Sequence, residues 1–464
     1  MIMAMLLGMF SQYGCHVSRD VSVPKADIPQ AYASQQADTI NVADLPWNTF
    51  FEDPQLRELI SRALEHNNDL QIAIKSIDKA ALSLRQAKWG NVPTVNLQAT
   101  ATSSRPSDNS LNGLTLGNFL HQSHVEDYTL AATLSWEADL WGKIRSQRSA
   151  ALASLLQARE IRNAVQTRLV NDIAKGYYNL QMLHEQLKIA EKNVQLNDST
   201  LNMIRLQFEA GQVSSLAMQQ AEAQKLDAQQ LVPKFEQQIT VQENALNILT
   251  GAYPGTFGNV ASLATTPNGN KLMPGIPAQL LNRRPDVRSA ELAISRANAE
   301  VGYNKAALYP SLTITAQGGI NAFKASNWFQ IPSSLFGAVA GGITQPLINH
   351  RKLKTDYQIA LVNREQVVIS FRQSVLNAVG DVSDNLVRIE KFEQQMSLAA
   401  KRVSTLEQAT TNARLLFNNG MATYLEVITA QANVLQSELT LATIKKSQLD
   451  AKVDLYRAVG GGWR

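Results

Sequence analysis

Between Lys143 and Ala210 the chain carries no proline and a single glycine, Gly176; between His350 and Asn419 it again has no proline and one glycine, Gly380. An unbroken helix over either stretch would be about 100 Å long at about 1.5 Å per residue, too long for a compact domain. The apolar residues step by three and four: Leu180, Leu183, Leu187, Ala190, Val194, Leu201, Ile204 and Phe208 in the first stretch; Ile389, Met396, Val403, Ala413 and Phe417 in the second. So narrow a stripe suits coiled-coil packing. The remaining surface, rich in Gln, Asn, Lys and Glu, expects water on more than one side. Gly211 and Gly420 are expected to end these helices as C-caps. Shorter helices should follow over Leu216–Thr250 and Tyr424–Val459, the first kinked at Pro233 and the second straight past Ala442.

The two stretches belong to a longer repeat. RLQFEAGQVSSLAMQQAEAQ (Arg205–Gln224) returns as RLLFNNGMATYLEVITAQAN (Arg414–Asn433), an offset of 209 that also pairs Leu246 with Leu455 and Gly251 with Gly460. Earlier in each copy, NVPTVNLQATA (Asn91–Ala101) matches LYPSLTITAQG (Leu308–Gly318) with Pro93 on Pro310, at an offset of 217. The excess of eight must be absorbed by a longer connection in the first copy, between Ala101 and Leu134. Self-similarity on this scale is architectural. After an extension over 15–52, the first repeat covers 53–255, with a β-hairpin at about 93–138 and a helix hairpin at about 142–250. The second covers 256–464, with its hairpins at about 310–348 and 350–459.

Strict alternation marks the strands. Val95, Leu97, Ala99 and Ala101 alternate with Asn96, Gln98, Thr100 and Thr102; Tyr128, Leu130, Ala132, Leu134 and Trp136 with Thr129, Thr133 and Ser135; Leu312, Ile314 and Ala316 with Thr313, Thr315 and Gln317. A Gly-rich fourth strand is expected over Leu335–Leu347. An antiparallel sheet on a soluble core would produce such alternation. Here the apolar side chains are small and few, the strands are about ten residues long, and aromatics gather near their ends at Tyr128, Trp136, Trp141, Tyr309, Trp328 and Phe336. Those features suit a transmembrane barrel with a polar lumen, and since the smallest such barrels have about eight strands, four require oligomerisation.

Lys and Arg number 43 against 39 Asp and Glu, and the basic residues are scattered without an aromatic platform, which argues against nucleic acid as a partner. The single cysteine, Cys15, excludes an internal disulfide or a multi-cysteine metal site. It closes MIMAMLLGMFSQYGC, in which an apolar run has the length of a secretion signal's hydrophobic segment and Gly14 is the small residue before a lipoprotein cleavage point. Removal of 1–14 and lipidation of Cys15 is one reading, an ordinary buried thiol the other. No catalytic constellation is visible. His121 and His124 in HQSH lack the acidic or cysteine companions of a metal site and read as solvated loop residues. RRPD (Arg283–Asp286) reads as a helix start, with Pro285 first and Asp286 in the first turn.

The passages SWEADLWGKIRSQRSAA (Ser135–Ala151) and LLNRRPDVRSAELAISRANAEVGYNKAALYPSLTITAQGG (Leu280–Gly319), with LYRAVGGGWR and PWNTFFEDPQLRELISRALEHNNDL, resemble the lipoprotein branch of the TolC-like outer-membrane efflux proteins. The resemblance implies a mainly α fold with a small β part: a homotrimer whose twelve strands, four per chain, form an outer-membrane β-barrel, continued by a long periplasmic α-helical barrel with a mixed equatorial domain. It implies a lipid on Cys15 and no other cofactor. Docking to a periplasmic membrane-fusion adaptor and an inner-membrane transporter of the RND type is implied too, as exit duct for drugs or other small toxic compounds. The outlet of a type I protein-secretion system is the alternative; a soluble coiled-coil scaffold leaves the strands unexplained. In the resembled family the narrowest point follows the turn glycine of the second copy. Carried over to GMATYLEVITAQ, it places the periplasmic aperture at Leu425, Glu426 and Thr429, with Gly211 and Gly420 at the helix-turn tips. Crowding of three Glu426 carboxylates would raise their pKa, whereas a Glu in a first helical turn is also an ordinary dipole-stabilised surface residue. One corner departs from the family's pattern: QPLINHRKLK has Asn349 and His350 where glycine is common. Ten scattered methionines give metal export no special support.

Overall fold

The computed structural model describes residues 17–24, 42–115, 123–258, 260–263 and 277–463. Cys15, the expected leader and His121 lie outside them. The principal elements are α1 (Pro54–His66), α2 (Asn68–Lys88), β1 (Thr94–Ser104), β2 (Val125–Ala138), α3 (Lys143–Glu209), α4 (Ser215–Leu249), α5 (Pro285–Ala306), β3 (Ser311–Ala322), β4 (Leu335–Thr344), α6 (Lys352–Asn418) and α7 (Tyr424–Ala458). The long helices α3 and α6 have 67 residues each, and α4 and α7 have 35 each. Every one of their boundaries keeps the offset of 209, while α2 to α5 and β1 to β3 begin at the offset of 217. The difference of eight falls in the hairpin connections, which run over 105–124 in the first copy and only over 323–334 in the second. One sequence expectation is corrected: the fourth strand stops at Thr344, short of Leu347. The helix α4 runs unbroken through Pro233.

The chain divides into two compact units, each drawing on both repeats. One holds the strands with Asp78–Leu156, Leu292–Ile369 and the described residues up to Val23. Its sheet is antiparallel in the order β1-β2-β3-β4. Trp141 stacks on Tyr309 at 4.9 Å and donates its indole N–H to the Pro310 carbonyl at 2.7 Å, tying the β2–α3 corner to the start of β3. At that corner Gly142 has φ +77; at the matching corner of the second copy Arg351, its repeat mate, has φ +62 with His350 at +48. The departure at Asn349 and His350 is thus met by left-handed backbone on non-glycine residues, which costs roughly 1–2 kcal/mol for each. The Asn298 side chain accepts from Val21 N–H at 3.1 Å and donates to its carbonyl at 2.8 Å, holding the N-terminal segment on α5.

The second unit comprises Gln157–Glu291, Ser370–Arg464 and the described part of Pro24–Ile77. Phe51, Leu56, Ile60 and Leu70 pack there on Leu169, Ile173, Tyr177, Leu449 and Val453. A fully buried Leu or Ile in such a core contributes about 2 kcal/mol. Asp53 caps α1 by accepting from the Gln55 amide at 2.8 Å, and Tyr177 donates to its other oxygen at 2.8 Å.

One joint in this unit occurs twice. Asn67, after α1, donates to the Leu249 carbonyl at 2.9 Å; Arg284, its counterpart before α5, donates to the Ala458 carbonyl at 3.4 Å. Two residues past each carbonyl stands a left-handed glycine, Gly251 at φ +71 and Gly460 at φ +95. A Cβ on Gly251 would lie 2.5 Å from the His66 carbonyl oxygen; on Gly460 it would lie 2.7 Å from that of Arg283. Glycine is therefore required at both for conformation and for space. RRPD is more than a helix start: Pro285 does open α5, but Arg284 is only 7% exposed and also pairs with Asp286 at 2.6 Å and Asp381 at 2.9 Å.

Candidate functional site: a two-faced sheet and a helical tip

Register decides the chemistry of the sheet. Val95 pairs with Leu134, Leu134 with Ala316 and Ala316 with Val339; Leu97 pairs with Ala132, Ala132 with Gly318 and Gly318 with Gly337. Directly paired residues share a face, so one face collects most of the apolar side chains of the four strands. The opposite face collects Asn96, Gln98, Thr100, Thr133, Thr315 and Gln317. Leu97, Val339 and Ile343 are 77%, 79% and 74% exposed, so no described residue covers them. Strands of 10 to 14 residues, tilted about 45°, suffice to cross a hydrocarbon layer. β1 and β4 each pair along one side only among the described residues, leaving two long open edges. Open edges of that length invite another strand.

The helical tips are built on the expected glycines. Gly211 and Gly420 have φ +72 and +71. Each ends its helix with a 6→1 bond, Gln212 N–H to the Gln207 carbonyl and Met421 N–H to that of Leu416, at 2.8 and 2.9 Å. Gly211 and Gly420 add 5→2 bonds to Phe208 and Phe417, completing two Schellman motifs. Beneath the turns Leu201, Ile204, Ala217, Ala221, Phe417 and Val427 form one cluster drawn from both copies. Phe417 is 5% exposed in it, whereas its repeat mate Phe208 is 38% exposed.

Leu425, Glu426 and Thr429 sit together on the exposed side of the first turns of α7. The mate of Glu426 is Ala217, fully buried in the inter-tip cluster, and a carboxylate there would have to be desolvated. Glu426 accepts from both the hydroxyl of Thr423, at 2.7 Å, and its amide, the acidic half of a capping box. The Thr423 hydroxyl, then its amide, holds the carboxyl below the usual Glu range within the single chain. Within one chain the nearest influence on this group is its own cap, whose donors favour the charged form and would oppose any rise from crowding between copies.

A polar ladder continues away from the tip between α3 and α7. Gln431 donates to Thr200 at 2.9 Å, both buried; Lys192 meets Glu438 at 3.0 Å, Gln186 meets Thr443 at 3.2 Å, and Lys175 meets Asp454 at 3.0 Å. As the α3 number rises the α7 number falls in step, the signature of an antiparallel register. Tyr424 adds a hydroxyl bond to Gln220 on α4. The sequence reading had passed over the ladder, the capping box and the Arg284 joint. Thr423–Glu426 does carry the S/T-x-x-E pattern that marks a box.

Among the described residues no His, Cys, Asp and Glu grouping could hold a metal ion, and His124 faces Glu126 at 3.6 Å. No described helix is long and apolar enough to cross a membrane.

A sheet with one apolar face and open edges, together with very long two-sided helices, is the design of an outer-membrane channel protein. The sequence matches the outer membrane efflux protein family over residues 59–252 and 276–461, and the chain belongs to that family. It is 30% identical over 460 residues to the solvent efflux pump outer membrane protein SrpC of Pseudomonas putida, covering 97% of this chain and 96% of that one. To the cation efflux system protein CusC of Escherichia coli K12 it is 27% identical over 457 residues, at the same coverage. A solved structure of CusC superposes with a TM-score of 0.85 at 25% identity, covering 97% of this chain and all of that one. The probable outer membrane lipoprotein SilC of Salmonella typhimurium is 27% identical over 444 residues, covering 95% and 94%.

Proposed function

We propose that the chain is one of three identical wall segments of an outer-membrane efflux channel that passively conducts small toxic compounds out of the cell. The observation that carries this is the register of the sheet: an uncovered apolar face, a polar face and two unpaired edges. Pairing β1 of one copy with β4 of the next satisfies the edges, and three copies give twelve strands, enough to close a barrel. The apolar face then meets lipid and the polar face lines a wet lumen. Lipidation of Cys15 adds a second hold on the membrane, in keeping with the lipoprotein description of SilC.

Efflux, rather than a type I secretion outlet, is favoured by relatives described as solvent and cation efflux components. On this reading a periplasmic adaptor and an RND-type inner-membrane transporter supply cargo and energy, and the chain performs no catalytic step. The aperture lies at Leu425, Glu426 and Thr429 on the second tip: Leu425 supplies an apolar rim and Glu426 a carboxylate that favours cations. Thr429, uncharged, limits the ring to one acidic position per copy.

The test is to extract the protein from outer membranes in detergent, measure the protein mass of the particle, and record conductance in a planar bilayer. A mass of three chains, at 51.0 kDa each before processing, with discrete conductance steps is expected. A monomer without conductance would overturn the reading.

A further inference from the structure

The polar face of the sheet carries one aromatic side chain. Gln98, Ala131, Gly319 and Phe336 stand in a single row across β1 to β4 on that face. Every other residue that the described strands place there is polar, Ala or Gly, apart from Val125 at the end of β2. Phe336 is half-buried. Its neighbourhood is kept flat. A Cβ on Gly319 would fall 2.1 Å from the Leu130 carbonyl oxygen and 2.7 Å from the Ala131 Cα, so no side chain can stand between Phe336 and Ala131. Along β4 the same face continues as Ala338, Ala340 and Gly342, leaving open wall beside the ring.

The next two rows toward the β3–β4 connection are the opposite in chemistry. Asn321 donates to both carboxylate oxygens of Asp127 at 3.1 Å and to the Thr129 hydroxyl at 2.7 Å, and Thr129 donates to Asp127 at 2.8 Å. The carboxylate is held in place on the same wall, so a solute touching the phenyl ring has an anionic group further along its way.

We infer that Phe336 is a specificity-determining residue of the lumen: three copies at one level form an apolar collar, near the barrel end remote from the helices, that makes transient face contact with cargo bearing an aromatic ring. The inference rests on the proposed channel with its polar face inward. A phenyl ring on a wetted wall gains by being covered, and a ring-to-ring contact contributes about 0.5–1.5 kcal/mol beyond area burial. That is enough to delay and sort solutes without trapping them.

The experiment compares two cationic probes in planar bilayers, benzyltrimethylammonium, which has a ring, and tetramethylammonium, which has none. In the wild-type channel the benzyl probe should interrupt the current about fivefold longer than the methyl probe, equivalent to about 1 kcal/mol. Phe336→Ala should bring the ratio to about one, and Phe336→Tyr should restore it. Should the Ala variant fail to assemble, Phe336→Leu keeps apolar bulk without an aromatic face and should fall well below the wild-type ratio. A conducting wild-type channel with equal dwell times, or a preference that survives Phe336→Ala or Phe336→Leu, overturns the collar. A wild-type protein that passes no current overturns instead the channel reading beneath it.

Discussion

The two repeats share the plan of their helix hairpins to the residue and differ at the ends of those hairpins. Their helix hairpins have the same lengths, the same Schellman turns and the same glycine at the closing joint. Yet Asn67 answers to Arg284 at the joint, Gly142 to Arg351 at the strand-to-helix corner, and Ala217 to Glu426 at the tip. The repeats thus keep their helix lengths and turns while the side chains at the ends diverge.

The joint offers the largest expected effect. Removing the guanidinium in Arg284→Ala leaves Asp286 and Asp381 without their cation, and loss of a buried charged partner costs about 3–5 kcal/mol. The partial exposure of both carboxylates places the expectation at the low end of that range. Asn67→Ala removes one neutral hydrogen bond and should cost about 1 kcal/mol. Thermal unfolding of the purified protein measures both, and equal losses would mean that the two joints are energetically alike. The pair also has a pH signature. Burial pushes the Asp286 carboxyl up, but the Arg284 hydrogen bond and charge outweigh it, and the net shift is downward. A lowered folded-state pKa gives stability that is present above the ordinary Asp value of about 3.9 and fades as pH falls through the lower folded value. The difference in melting temperature between wild type and Arg284→Ala should therefore narrow in acid.

Next come the two glycines of the joint, which test whether the copies are alike at all. Gly251→Ala and Gly460→Ala each combine left-handed strain with a clash against a carbonyl, and about 2–3 kcal/mol is expected from either. A large loss from one and none from the other would break the equivalence.

At the tips the divergence bears on the proposed aperture. Gln can take over a capping-box role, so Glu426→Gln removes charge and retains the cap. Cation-over-anion selectivity should fall severalfold with the melting temperature unchanged, whereas Glu426→Ala should lower both. Unchanged selectivity in both variants would leave Glu426 as a cap alone. Because Thr423 holds the Glu426 carboxyl below the usual range, wild-type selectivity should persist down to about pH 4; loss at a higher pH would show that the carboxylates crowd one another in the assembly.

The smallest effect belongs to the corner. Arg351→Gly relieves left-handed strain and should stabilise by about 1 kcal/mol, while Gly142→Ala, with open space around its Cβ, should destabilise by a similar amount through conformation alone. Opposite signs at equivalent positions would sharpen the comparison; equal signs would refute the pairing of these corners.

Much of this was legible in the sequence because it is periodic. The offset of 209 fixes both helix hairpins at once, and alternation assigns each strand its two faces before any partner is known. The joint was not legible, since nothing in Asn67 or Arg284 announces a carbonyl 182 or 174 residues away. The corner could have been read by carrying Gly142 forward to Arg351, a subtraction that needs no structure. Glu426 stands out in the sequence for its charge, while its cap depends on a hydroxyl three residues back that holds the carboxyl down within the chain. Phe336 was counted among strand-end aromatics, and only the pairing of β3 with β4 showed that it stands on the other face from Tyr128 and Trp136.

The ladder between α3 and α7 carries a rule for change in length. Each rung joins a residue of the first hairpin to one of the second, so a deletion in one hairpin alone slides every rung beyond it out of step. A deletion within α3 keeps the rungs in step only if α7 loses the same number of residues at the facing level. Engineering the channel to a new periplasmic depth would require editing both copies by the same whole number of turns.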